Sequence, residues 1–229
     1  MLKAFGADVS CHDTTASVHY TDELFASNIE VPGDISSAAY FIVAALMIPN
    51  SDIILHNVGI NPTRDGLLRA IEMMGGKIEI LSIKNEDTEA IADLRIKSQN
   101  LHGATFGGDI IPAMIDEIPA LAALACFAEG ETIIKDAEEL KVKESNRIKV
   151  MVEELSKMGA QIEETEDGMI IHGKHSLHSA QIDSHKDHRI AMTFSILSRA
   201  IGQDLPIIDK DCVKISYPNF YKHLHSLSS

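Results

Sequence analysis

The sequence has no tryptophan and only three cysteines, Cys11, Cys126 and Cys212, with no CxxC spacing among them. A disulfide framework needs a patterned, even set and a structural zinc needs paired ligands, so neither organises this fold. Scattered free thiols fit a reducing compartment. MLKAFGADVS also lacks the apolar core of a secretory signal, so the expectation is a cytoplasmic protein. No apolar run approaches the roughly 20 residues of a membrane-spanning helix, and the longest, from Ala38 to Pro49, has the length of a buried helix. Basic residues are scarce, 20 against 34 acidic ones for a net charge of −14. A non-specific nucleic-acid binder carries the opposite balance. There is no GxGxxG after a strand and no GxxxxGK[ST], the loops that cradle nucleotide phosphates; Gly107-Gly108 reads as a turn. His172, His175, His178 and His185 are irregularly spaced, and His223 and His225 lie on the last helix. With no HExxH or paired-ligand pattern, no metal site is expected.

The 229 residues allow one large domain or one and a half. Their organising feature is an internal repeat. Asp34, Asp116 and Asp187, 82 and 71 residues apart, each lead an apolar stretch: AAYFIVAALM, ALAALACFA and RIAMTFSILS. Each stretch is apolar all round, which predicts a helix buried on every side. A strand and a second helix follow. Leu67, Leu68, Ile71 and Met74 form the apolar stripe of one such helix, and Val152, Leu155 and Met158 that of another. Gly75 and Gly159 close them, as helix C-termini prefer. The pattern predicts an α/β fold turned inside out, with helices central and sheets external. Leu2 to Gly6 reads as the close of a helix, and two polar strands follow, so the chain is expected to enter in mid-unit as a fragment.

The chemistry gathers at helix starts. An Asp there caps free N–H groups for about 1 kcal/mol, and this suffices for Asp34 and Asp187. For Asp116, followed by Glu117, capping and function are evenly matched. Lys143, Arg147, His188 and Arg189 also fall at predicted helix starts, where the dipole disfavours a cation by about 0.3–1 kcal/mol. Lys143 and Arg147 would in addition repel each other at i, i+4. Either Glu138, Glu139 and Glu144 neutralise these bases, or an anion bridges them at the free N–H groups. Asp116 and Glu144 are the candidate proton-transfer groups beside them. Cys126 reads as core packing.

PGDISSAAYF, IDEIPALAALACFAEG, KVKESNR, the MGG and MGA helix ends, DHRIAM and the closing SYPNFYKHL resemble the 5-enolpyruvylshikimate-3-phosphate synthase family (3-phosphoshikimate 1-carboxyvinyltransferases). The resemblance covers essentially the whole chain but only the C-terminal half of the family's length. It implies a lobe of three βαβαββ units with buried parallel helices and external sheets, formed by residues 32–229, and a remnant of the N-terminal lobe in residues 1–31. It also implies transfer of the enolpyruvyl group of phosphoenolpyruvate to the 5-hydroxyl of shikimate 3-phosphate with release of phosphate, a reaction that needs no metal and no organic cofactor. This is a step of aromatic amino-acid and chorismate biosynthesis in the shikimate pathway, and the target of glyphosate. On that likeness Asp116 is the base and a shikimate 3-phosphate ligand, Glu144 the acid, and Lys143 a second ligand of shikimate 3-phosphate. Arg147 and Arg189 clamp phosphoenolpyruvate, and His188 lies at the clamp as a catalytic candidate. The family's late lysine is one place out of register with Lys214 and is not carried over. The intact enzyme is expected as a monomer, and the half chain alone as inactive without its N-terminal lobe. The alternatives are the sister UDP-N-acetylglucosamine enolpyruvyl transferases, disfavoured by DHRIAM and KVKESNR, and a non-catalytic anion-binding lobe.

Overall fold

The polar alternation after Gly6 forms an antiparallel hairpin, β1 (Val9–His12) and β2 (Thr15–Val18), preceded by one 3-10 turn, Leu2–Phe5. The computed structural model describes residues 2–85 and 89–227, and no residue from 2 to 34 is buried. Burial begins at α1 (Ile35–Met47), where Asp34 caps the helix by accepting from the Ser37 N–H. Eleven of the thirteen residues of α1 are buried, as an all-round apolar helix requires.

The first unit continues with β3 (Asp52–Gly59), α2 (Gly66–Met73), β4 (Glu79–Lys84) and β5 (Ile91–Lys97). These strands make a three-stranded antiparallel sheet of order β3-β5-β4, with Ile91, Ala92, Leu94 and Ile96 buried. The second unit runs β6 (Thr105–Phe106), α3 (Ile118–Ala125), β7 (Glu131–Ile134), α4 (Arg147–Lys157), β8 (Gln161–Glu164) and β9 (Met169–His172). Its sheet has the order β6-β7-β9-β8. Gly168, in the β8–β9 turn, passes so close to β7 that a Cβ there would lie 1.9 Å from the Ile134 carbonyl oxygen. The third unit is β10 (Ile182–Asp183), α5 (His188–Ile201), β11 (Ile207–Ile208) and α6 (Phe220–Ser226), with β10 and β11 parallel.

Helices α1, α3 and α5 pack against one another in a single core. Alanines on α3 (Ala120, Ala122, Ala123 and Ala125, all buried) permit the close approach. The sheets lie outside them, and β4 is exposed along its whole length. The outer helices α2 and α4 are amphipathic and end, as expected, in left-handed glycines, Gly75 at φ 80° and Gly159 at φ 90°. Among the described residues no helix is long and apolar enough to cross a membrane.

Candidate active site

The first turns of the three buried helices meet at one end of the core. Asp187 caps α5 through the Arg189 N–H, at 2.9 Å. Asp116 departs from the repeat: the residue at the start of α3 is Glu117, which makes no side-chain cap bond. The cause is local. The chain reaches α3 through the 3-10 turn Pro112–Met114, and Pro119 occupies the first turn of the helix. That offset frees the Asp116 carboxylate for another task.

It lies between two guanidinium groups. Arg147 Nη1 donates to Asp116 Oδ1 at 3.2 Å, and Arg189 Nη2 lies 3.1 Å from Asp116 Oδ2. Arg189 Nη1 also donates to the Asp116 backbone carbonyl at 3.2 Å. Arg147, 1% exposed, is the hub of the cluster. Its Nε donates to Asp187 Oδ2 at 2.9 Å, and its Nη2 donates to Glu144 Oε2. Guanidinium is the side chain suited to this, since it stays charged and offers five donors in a rigid fork.

Arg147 opens α4, and Asn146 is the cap, accepting from the Lys149 N–H. Lys143 does not start that helix. It is extended, just beyond the 3-10 turn Glu138–Val142, and its Nζ donates to Glu139 Oε1. Lys143 and Arg147 are therefore not i, i+4 neighbours on one helix, because the cap lies between them. The carboxylates of Glu139 and Glu144 neutralise the two bases in this structure. Arg189 keeps more exposure, 15% of its side chain.

The environment sets the charges. Burial alone would raise the Asp187 carboxyl, but the hydrogen bond and charge of Arg147 with the Arg189 N–H and Ser145 hold it below the ordinary value. His188, whose Nδ1 is 3.9 Å from Glu144 Oε1, is pushed down by burial and by Arg189, so its imidazole is neutral at pH 7. Cys126 is buried, donates to the Ala122 carbonyl and is pushed up to about 12 by burial, which makes it packing and no nucleophile. Lys214 pairs with Asp211 at the surface. Gly108 sits in a left-handed turn and donates to Asp136. Among the described residues no group of three or more His, Cys, Asp or Glu side chains could hold a metal ion.

This arrangement can hold an anion against two arginines while a carboxylate between them exchanges a proton. Comparison with known proteins is decisive on kinship: residues 1–224 match the family described as EPSP synthase (3-phosphoshikimate 1-carboxyvinyltransferase). The chain belongs to the EPSP synthase family. It is 48% identical over 227 residues to the 3-phosphoshikimate 1-carboxyvinyltransferase of Bacillus cytotoxicus, covering 99% of this chain and 54% of that protein. Against the Bacillus subtilis enzyme of the same name the identity is 49% over 229 residues, with 100% and 54% covered. The solved EPSP synthase of Acinetobacter baumannii matches with a TM-score of 0.92 at 39% identity, over 99% of this chain and 53% of that one. The enolpyruvyl transferase NikO of Streptomyces tendae, 17% identical with a TM-score of 0.75 over 99% and 51% of the two chains, shares the fold. The chain thus spans about half the length of the EPSP synthases it matches.

Of the residues singled out from sequence, the structure of this family member brings Asp116, Glu144, Arg147, His188 and Arg189 into one cluster, with Lys143 turned to Glu139. Sequence reasoning missed Glu117, Ser36, Arg64 and Tyr40, which adjoin the same cluster from the first and second units. Glu117 beside Asp116 was the available signal, a second acid entering an apolar helix.

Proposed function

We propose that this chain supplies the charge-handling half of an enolpyruvyl transferase acting on shikimate 3-phosphate and phosphoenolpyruvate. The observation that carries the reading is the Asp116 carboxylate held between the Arg147 and Arg189 guanidiniums where three buried helices begin. In this reading residues 32–229 form one lobe and residues 1–31 are the tail of the other, whose residues complete the site. The intact enzyme is a cytoplasmic monomer of the shikimate pathway, and the half chain alone does not turn over.

The chemistry follows from the groups present. Asp116 accepts the proton of the 5-hydroxyl as that oxygen attacks C2 of phosphoenolpyruvate, and C3 takes a proton from Glu144. Phosphate then leaves from the tetrahedral intermediate as C3 gives a proton back. Arg147 and Arg189 face the substrate's carboxylate and phosphate, where a planar fork binds two oxygens at once. Preorganised charge of this sort is commonly the largest single catalytic contribution. Arg147 is occupied by three carboxylates, of which Glu144 is the most exposed, at 49%. Arrival of the anion displaces Glu144 from Arg147, so one event fills the clamp and frees the acid. His188, neutral, faces Glu144 without adding a competing positive charge.

The test is genetic. Joined to the N-terminal half of the Bacillus subtilis relative, this chain should restore growth without aromatic amino acids to a bacterium lacking its own synthase. The joined protein with Asp116→Asn should not. Growth failure of a folded, soluble joined protein would overturn the assignment.

A further inference from the structure

We propose that Glu117 is a positioning residue for the anion clamp, holding the Arg189 guanidinium by a relay that starts at Arg64 and passes through Ser36. The inference rests on the transferase reading above and adds residues that take no part in it.

Direction in the relay is set by donor chemistry. Arg64 Nη2 lies 2.7 Å from Ser36 Oγ, and a guanidinium can only donate. The Ser36 hydroxyl therefore accepts from Arg64, and its single hydrogen points to Glu117 Oε1, to which it donates. Ser36 and Glu117 are each 4% exposed, so water does not compete for the bond between them, whereas Arg64 is half exposed and also contacts Asp34. Glu117 Oε1 in turn lies 4.0 Å from Arg189 Nη1. Two shorter contacts of Arg189, at 3.1 and 3.2 Å, come from Asp116, the residue assigned as base, and the Tyr40 hydroxyl lies beside it. Glu117 thus ties Arg189 to a partner that does not move a proton. Without it no carboxylate other than Asp116 holds the guanidinium, and only the uncharged Tyr40 hydroxyl opposes the pull of the base.

The groups facing Glu117 are Arg189 from α5, Ser36 and the buried Tyr40 from α1, Arg64 from the turn before α2, and its neighbour Asp116. Tyr40 is the fourth wall. Its buried hydroxyl lies against the Arg189 guanidinium and feels its charge. Burial raises the Glu117 carboxyl above the ordinary glutamate range, with Asp116 adding to burial and with Ser36, Arg189 and Arg64 opposing it. Glu117 therefore loses its charge, and its hold on Arg189, at a less acidic pH than an exposed glutamate.

The experiment uses this chain joined to the N-terminal half of the Bacillus subtilis relative, with phosphate release measured against phosphoenolpyruvate at several pH values. Glu117→Gln should raise KM for phosphoenolpyruvate about tenfold at about pH 7.5, the loss of the buried carboxylate charge facing Arg189, with kcat within about threefold. The ratio of variant to parent KM should fall toward one as pH is lowered and the parent's own Glu117 is protonated. Titration of the substrate phosphate cancels in that ratio. Ser36→Ala, which keeps every ionisable side chain but removes the hydrogen bond that holds Glu117 and opposes the upward push of burial on its carboxyl, should raise KM about threefold and answers the same question if the Gln variant does not fold. A parent that turns over with variants of unchanged KM overturns the relay alone. A parent with no turnover overturns the transferase reading on which it rests.

Discussion

Asp116→Asn in the joined enzyme is expected to lower kcat about 10²–10⁴-fold, the contribution of a positioned general base. The amide keeps the volume of the carboxylate and can still accept from one guanidinium, but it cannot take a proton. The side chain is about one-third exposed, so the protein should unfold at nearly the parent's urea concentration. A fall in kcat with a preserved midpoint identifies chemistry and not folding as the step lost. Activity within tenfold of the parent would mean that the carboxylate between the two arginines is only their counter-ion.

The second large effect is on stability. Arg147→Met removes the buried cation that faces Asp187, Asp116 and Glu144 at once. Asp187 is fully buried and is left without its charge partner, a change that destabilises by about 3–5 kcal/mol when one member of a buried pair is deleted. The pH dependence carries the sign. In the parent the folded value of Asp187 lies below its unfolded one. Its stabilisation is present above the unfolded value and is lost as pH falls through the folded value. In the variant burial is no longer outweighed, the folded value rises above the unfolded one, and the penalty grows as pH rises from acid. The gap between parent and variant in urea unfolding should be widest at neutral pH and narrow toward pH 4 or so. A gap that is small or independent of pH would show that Asp187 does not depend on Arg147 for its charge.

Much of the fold was legible because local pattern and tertiary role agree. The all-round apolar stretches became α1, α3 and α5, which pack against one another on one side and against the sheets on the other. Gly75 and Gly159 mark helix ends because only a left-handed residue closes them without strain. Asp34 and Asp187 cap because a carboxylate three or two residues before a free N–H reaches it unaided. Asp116 broke that rule, since the 3-10 turn before α3 moved the helix start one residue on. The cluster around Arg147 was legible as a list of residues but not as a set of pairs. Two of its three partners stand 31 and 40 residues away, and a lone arginine in a sequence does not tell which distant carboxylates the fold will bring to it. Glu117 was hidden for the same reason: Ser36, which holds it, is 81 residues distant.

The measurement that bears most directly on the central claim is phosphate release from shikimate 3-phosphate and phosphoenolpyruvate by three purified samples. These are this chain alone, the N-terminal half of the Bacillus subtilis relative alone, and the two mixed. Turnover in the mixture only is the expected result, and it would establish that Asp116, Glu144, Arg147 and Arg189 form one half of a shared site. Turnover by this chain alone would contradict the account, since the site would then need nothing from the other lobe.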